Sequence, residues 1–168
     1  MSCSKRSTRK RQKRRVANKP KLLLDSNVIT DGLFSKFGLS KSVLAICAAR
    51  TCRMVLAEWV RIEVERNILK TVGRISEDDV EQLIEDYVGF LKLAKPIIVP
   101  VADEKRVIAS RALIRHFADV PVLLAAIDSR PDWIITKNRE HFTNEVGKTV
   151  GIRIASPAEF FGDLIDSF

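Results

Sequence analysis

A chain of 168 residues, 46% of them apolar, fits one soluble globular domain with a single core. Its formal charge of +8 is concentrated at the start: Met1 to Lys21 hold 10 of the 29 Lys and Arg and no acid, leaving 19 basic against 21 acidic residues in the remainder. No apolar run approaches a membrane span, and Cys3, Cys47 and Cys52, odd in number and without tight spacing, suggest neither a disulfide framework nor a thiolate metal site.

The first segment, residues 1 to 20, is predicted to be a disordered, solvated basic tail, because it has almost nothing to bury. Lys5, Arg6, Arg9, Lys10, Arg11, Lys13, Arg14, Arg15 and Lys19 make it a candidate nucleic-acid-binding arm, and equally a solvating extension or a targeting signal. It has neither the apolar helical face of a transit peptide nor the long apolar core of a secretory signal, so the cytoplasm is the expected compartment.

From Lys21 onward, short apolar runs alternate with longer stretches of helical period. Strands are predicted at Lys21 to Leu24, Arg53 to Leu56, Ile97 to Val99, Trp133 to Thr136 and Ile152 to Ala155. Helices are predicted over Ser40 to Arg50, Glu58 to Thr71, Glu77 to Ala94, Glu104 to His116 and Val120 to Ser129. Ser76 before three acids is a good helix entry and Lys95-Pro96 a good exit; Asp119 before Val120-Pro121 and Ser156-Pro157 open helices with proline in the first turn. The alternation predicts one α/β domain over residues 21 to 168, built on a mostly parallel sheet of about five strands.

In such a sheet the strand ends and the helix starts share one edge, where ligands bind. That edge would collect Asp25 after the first strand, Glu63 in the second turn of the helix leaving the second, Asp119 before the helix to the fourth, and Thr136, Lys137 and Asn138 after the fourth. Carboxylates brought together without histidine or thiolate select a hard ion such as Mg²⁺ or Mn²⁺. Plainer readings stand beside this one. Asp25 and Asp119 could be helix caps, and Glu63 a solvated residue paired with Arg66 or Asn67. Helical spacing does not separate Glu63 from Glu58 or Glu65, since all three lie off the stripe of Val60, Val64 and Ile68. His116 and His141, with no His or Cys at zinc-ligand spacing, read as ordinary surface or boundary histidines.

The blocks LLLDSNVI, AEWVRIEVERNI, DVPVLLAAI, DWIITKNREHF and IRIASPAEFF, in this order and spacing, resemble the PIN domain, especially the toxin-type members of bacterial and archaeal toxin–antitoxin pairs. The likeness runs from about Lys21 to the C-terminus. It implies a three-layer α/β/α fold and a metal-dependent endoribonuclease, with Asp25, Glu63 and Asp119 as the catalytic carboxylates that bind Mg²⁺ or Mn²⁺, and it is the resemblance that selects Glu63. Ser26, where a Thr is common, Asn27 and Thr136 would shape the site. Asn138 departs from the pattern: many members carry a fourth acid there, and an amide brings no charge, which points to one tightly bound metal rather than two. The implied partners are RNA, an antitoxin protein and a second copy of the chain, with no membrane.

The first rival is a PIN-like RNA-binding module with weak or lost catalysis, Asn138 being the sign of decay and the tail the source of affinity. A response-regulator receiver would need paired acids after the first strand and an acceptor Asp after the third, where IIVP ends in Pro100. Neither G-x-G-x-x-G nor G-x-x-x-x-G-K occurs, which disfavours a dinucleotide or P-loop enzyme.

Overall fold

In the computed structural model, which describes residues 19–166, the three leucines that open the domain are wholly buried. They belong to β1 (Lys21–Leu24) at the centre of a five-stranded parallel sheet of order β3-β2-β1-β4-β5. A central strand covered on both faces needs an unbroken apolar run rather than alternation. β2 (Arg53–Ala57) and β4 (Trp133–Ile135), which flank β1, follow the same rule, while the edge strands β3 (Ile97–Val99) and β5 (Arg153–Ala155) are partly exposed. The tail residues Lys5, Arg6, Arg9, Lys10, Arg11, Lys13, Arg14 and Arg15 lie outside the described residues.

The connections divide by direction. From β1 to β2 run α1 (Ser26–Phe34) and α2 (Leu39–Ala48), and from β2 to β3 run α3 (Glu58–Leu69) and α4 (Glu77–Ala94); these four helices pack against one another. The chain then returns across the sheet to β4 through α5 (Glu104–Ala109), 3-10 turns at Arg111–Leu113 and Phe117–Asp119, and α6 (Val120–Ser129). Right-handed crossovers running in opposite directions place their helices on opposite faces, which gives three layers. α6 accordingly reads VPVLLAA with every one of those residues buried. α7 (Asn144–Val150) precedes β5, and α8 (Pro157–Ile165) closes the chain behind a capping box of Ser156 and Glu159. No helix of the described residues is long and apolar enough to cross a membrane.

Four local expectations change. α1 is not among the expected helices, although Asp25 is read as a possible cap and does cap it; the helix buries Val28, Ile29 and Leu33 at helical spacing. α7 was not foreseen because only two of its seven residues are apolar. The helix expected over Glu104 to His116 stops at Ala109; Ile114 then takes an extended conformation and buries its side chain, 3% exposed. Cys47 and Cys52 do form a close pair: the turn between α2 and β2 brings their buried, free thiols to 3.4 Å.

Gly147 in α7 shows how tightly β5 is approached. A Cβ there would come within 2.8 Å of the Ile152 carbonyl oxygen and 3.2 Å of Ile154. Alanine is favoured over glycine in a helix by about 1 kcal/mol, but overpacking against backbone costs about 1–3 kcal/mol. Gly147→Ala is expected to lower the melting temperature by several degrees, read by thermal unfolding; a rise would show that α7 and β5 separate easily.

Candidate functional site

The order of strands reverses between β1 and β4, and in open parallel sheets that reversal opens a crevice at the carboxyl ends. Asp25 sits at its floor. Its backbone N–H extends the ladder by donating to the Ile135 carbonyl at 3.0 Å, and its side chain, 5% exposed, caps α1 by accepting from the Ser26 N–H at 2.8 Å. The other carboxylate oxygen accepts from the Thr136 hydroxyl at 2.6 Å and from Asn27 Nδ2 at 2.8 Å. Asp25 is therefore both a cap and a cleft residue.

Around it the loop after β4 is laced to the start of α1. Thr136, wholly buried, receives the Asn138 N–H on its hydroxyl oxygen at 3.0 Å, and Asn27 Oδ1 receives the Lys137 N–H at 3.0 Å. Lys137 Nζ turns to Asp31 at 3.1 Å rather than to Asp25. Asn67, offered as a partner for Glu63, instead donates to the Thr30 hydroxyl at 3.3 Å.

Glu63 projects from α3 beside the Ser26 side chain, and the fields of Asp25 and Asp119 both reach it. Burial first, and then these two like charges, raise its pKa against the opposing hydrogen bond of Ser26. Asp25 is raised too, chiefly by burial, with Asp119 adding to it, although Thr136, Ser26 and Asn27 all pull the other way. The buried Trp59 indole N–H lies near Glu63 but completes no hydrogen bond.

Asp119, which ends the second 3-10 turn, makes no cap hydrogen bond to α6. Its carboxylate meets His141 Nδ1 at 2.7 Å, and the same nitrogen lies 2.7 Å from the Asn138 side-chain amide. Asn138 Oδ1 in turn accepts from the His141 backbone N–H at 3.4 Å, so the amide, the imidazole and the Asp119 carboxylate form one chain of contacts. The His116 ring stacks on His141 with centroids 3.3 Å apart. Both histidines were passed over in the sequence because zinc-ligand spacing was the pattern sought. The signal that could have found them is local: His141 follows Asn138 by three residues in a turn, and His116 precedes Asp119 by three.

The crevice thus brings Asp25, Glu63 and Asp119 within electrostatic reach of one another, with Ser26, Asn27, Thr136 and Asn138 among them. The donor set, three carboxylates with hydroxyl and amide oxygens, suits a hard divalent ion in chemistry and in charge. Among the described residues, no three of His, Cys, Asp and Glu are gathered closely enough to enclose one in the side-chain positions seen.

Two solved structures share this fold. VapBC2 from Rickettsia felis, bound to a DNA fragment from its promoter, superposes with a TM-score of 0.55 at 14% identity, covering 80% of this chain and 96% of that one. FitAcB from Neisseria gonorrhoeae does so with a TM-score of 0.55 at 16% identity, covering 81% and 97%. Comparison with curated proteins finds no match. The model of the PIN domain family matches residues 21–140, a span that starts with β1 and runs past Asp25, Glu63, Asp119 and Asn138, and the chain belongs to that family.

Proposed function

We propose that this PIN domain is a metal-dependent endoribonuclease, with Asp25, Glu63 and Asp119 holding Mg²⁺ or Mn²⁺ at the crevice between β1 and β4. The observation that carries the reading is the pair of raised carboxylates at the floor and wall of the crevice, facing a third acid, with the adjacent Lys137 turned away to Asp31. Such a cluster costs stability unless a cation relieves it. When bound, the ion supplies activation of water and neutralises charge that develops on the phosphate. The chain's own residues do the rest. Thr136 and Asn27 fix the Asp25 carboxylate, and His141 fixes Asp119. Asn138 offers an uncharged polar group where many relatives have an acid, which favours one tightly held ion.

The likeness to VapBC2 and FitAcB supports reading the chain as the toxin of a toxin–antitoxin pair, with RNA as substrate, an antitoxin protein as partner and the cytoplasm as compartment; self-association into a dimer belongs to the same reading. Asn138 also favours a second reading, an RNA-binding module of weak catalysis. Cleavage of single-stranded RNA with and without Mn²⁺ decides between them.

Asp25→Asn is expected to reduce Mn²⁺-dependent cleavage by at least about a hundredfold, since even residues that only orient metal ligands are worth 10–100-fold. Its unfolding should remain cooperative. Unchanged cleavage, or a variant that does not fold, would assign Asp25 to capping α1 alone.

For Glu63 the sign of the pH dependence follows from a folded pKa raised above 4.5. The folded state holds its proton more tightly than the unfolded chain, so the cost of the charge is absent below about pH 4.5 and develops as pH rises through the folded value. Without metal, Glu63→Gln should gain melting temperature relative to the parent as pH is raised from 4.5 to 7, and added Mn²⁺ should reverse the order. A difference independent of pH would remove Glu63 from the cluster.

Asn138→Asp should bind Mn²⁺ more tightly in calorimetric titration, because a further negative charge in a partly dry crevice strengthens the attraction for a divalent ion. Equal affinity and stoichiometry would mean that the side chain at 138 serves His141 only.

A further inference from the structure

The sheet edge opposite the carboxylates gathers cations on its β2–β3 side, while Asp132, just before β4, accepts the Lys21 N–H at 2.7 Å. β1 begins with Lys21 paired in register to Arg53, and β2 pairs with β3 so that Lys95, just before β3, falls beside Arg53. Here a hollow of about 370 Å³ is lined by Lys19, Arg50, Arg53 and Lys95 over an apolar floor of Met54 and Ala94, with no acidic residue in its lining. All four cations are exposed. Lys19 Nζ donates to the Arg50 carbonyl at 2.5 Å, which fixes the end of the tail at the rim.

The backbone at this rim is unusual in a consistent way. Arg50 and Lys95 have φ of 55° and 46°, the left-handed conformation that glycine takes most easily after a helix. Each follows the end of a helix, α2 or α4, where a cation is attracted to the terminal carbonyls. That attraction explains one cation per helix end. It does not explain Lys19 and Arg53, which come from outside the helices and line the same hollow. The eight Lys and Arg between positions 5 and 15 join the domain through Lys19, at this rim.

We propose that this hollow is a docking site for phosphates of the RNA backbone, separated from the carboxylate crevice by the length of β1. It rests on the reading of RNA as substrate. Guanidinium and ammonium groups converging without a carboxylate recognise phosphate, and binding there would release counterions. RNA held at this edge reaches the crevice only by passing around the sheet, so the site tethers substrate and takes no part in the chemistry.

The test uses full-length protein, a labelled single-stranded RNA and a chelator, so that binding is read without cleavage across a series of salt concentrations. The double variant Arg50→Gly with Lys95→Gly removes two charges while suiting the left-handed backbone. It should melt near the parent, lose about tenfold in affinity at 0.1 M salt, and flatten the log–log salt slope by about 1.4, at about 0.7 for each phosphate contact on a single strand. Arg53→Gln, in extended backbone, should lose affinity independently and covers the case in which the double variant does not fold. Lys36→Gln with Lys70→Gln, an equal charge change elsewhere, should stay within about twofold. The proposal is overturned if affinity and slope match the parent in both pocket variants, if the control pair loses as much, or if polyglutamate of equal charge competes as well as RNA. A parent that binds through the hollow yet cleaves nothing with Mn²⁺ would refute the nuclease reading and leave the docking site standing.

Discussion

The contact on which the crevice depends is the hydrogen bond from the Thr136 hydroxyl to the Asp25 carboxylate, 2.6 Å long and out of reach of solvent. It joins the end of β1 to the end of β4, two strands that are neighbours in space and more than a hundred residues apart in the chain. A buried carboxylate with an incomplete set of partners costs several kcal/mol. Three donors offset part of that, and burial still prevails, as the raised pKa of Asp25 shows. What holds the residue in place is the strand behind it: Leu22, Leu23 and Leu24, wholly buried, stabilise by roughly 1.5–3 kcal/mol each. The apolar run and the acid that ends it are parts of one arrangement, in which the core holds the carboxyl at the crevice floor.

The exposed ion pairs contribute little to this. Lys137 with Asp31, Arg106 with Asp128 and Arg139 with Glu159 are solvated pairs whose individual worth is about 0–1 kcal/mol. Lys137, which follows β4 at the crevice, is thereby engaged with Asp31 rather than with Asp25. The crevice acids gather at the carboxyl ends of the strands and a group of cations at the amino ends of β2 and β3, an arrangement to which the topology contributes. Helices that run antiparallel to the strands start at one edge and finish at the other, and their termini favour opposite charges.

Much of the fold was legible because its central strands are continuous apolar runs and its crossover helices have clear entries. Ser76 with three following acids marked α4, and Asp119 with Pro121 marked α6, to the residue. The edge that collects Asp25, Glu63 and Asp119 follows from parallel topology alone. The choice of Glu63 over Glu58 and Glu65 does not, because rotation about a helix axis is set by what the neighbouring elements bury, and α3 has polar residues on most of its circumference. The His116–His141 stack and its contact with Asp119 were illegible for a related reason. They depend on two irregular segments, 110–119 and 136–143, whose paths follow from where Ile114 and Phe142 reach the core. Periodicity says nothing about such segments. Cys47 and Cys52 were missed because a five-residue separation has no helical or strand meaning; only the reversal between α2 and β2 gives it one.

One residue alone separates β1 from α1: Leu24 ends the strand and Ser26 begins the helix. Asp25 has no loop in which to move, so its position is dictated from both sides. An added residue at this junction would turn α1 by about 100°, carrying Val28, Ile29 and Leu33 out of the core and Asn27 away from Thr136. The span from Lys137 to Thr143, by contrast, is irregular chain tied to Asn27 and Asp119 by side-chain hydrogen bonds. The two walls of the crevice therefore differ in kind: the β1 side is locked in register with the core, and the β4 side is held by individual side-chain hydrogen bonds.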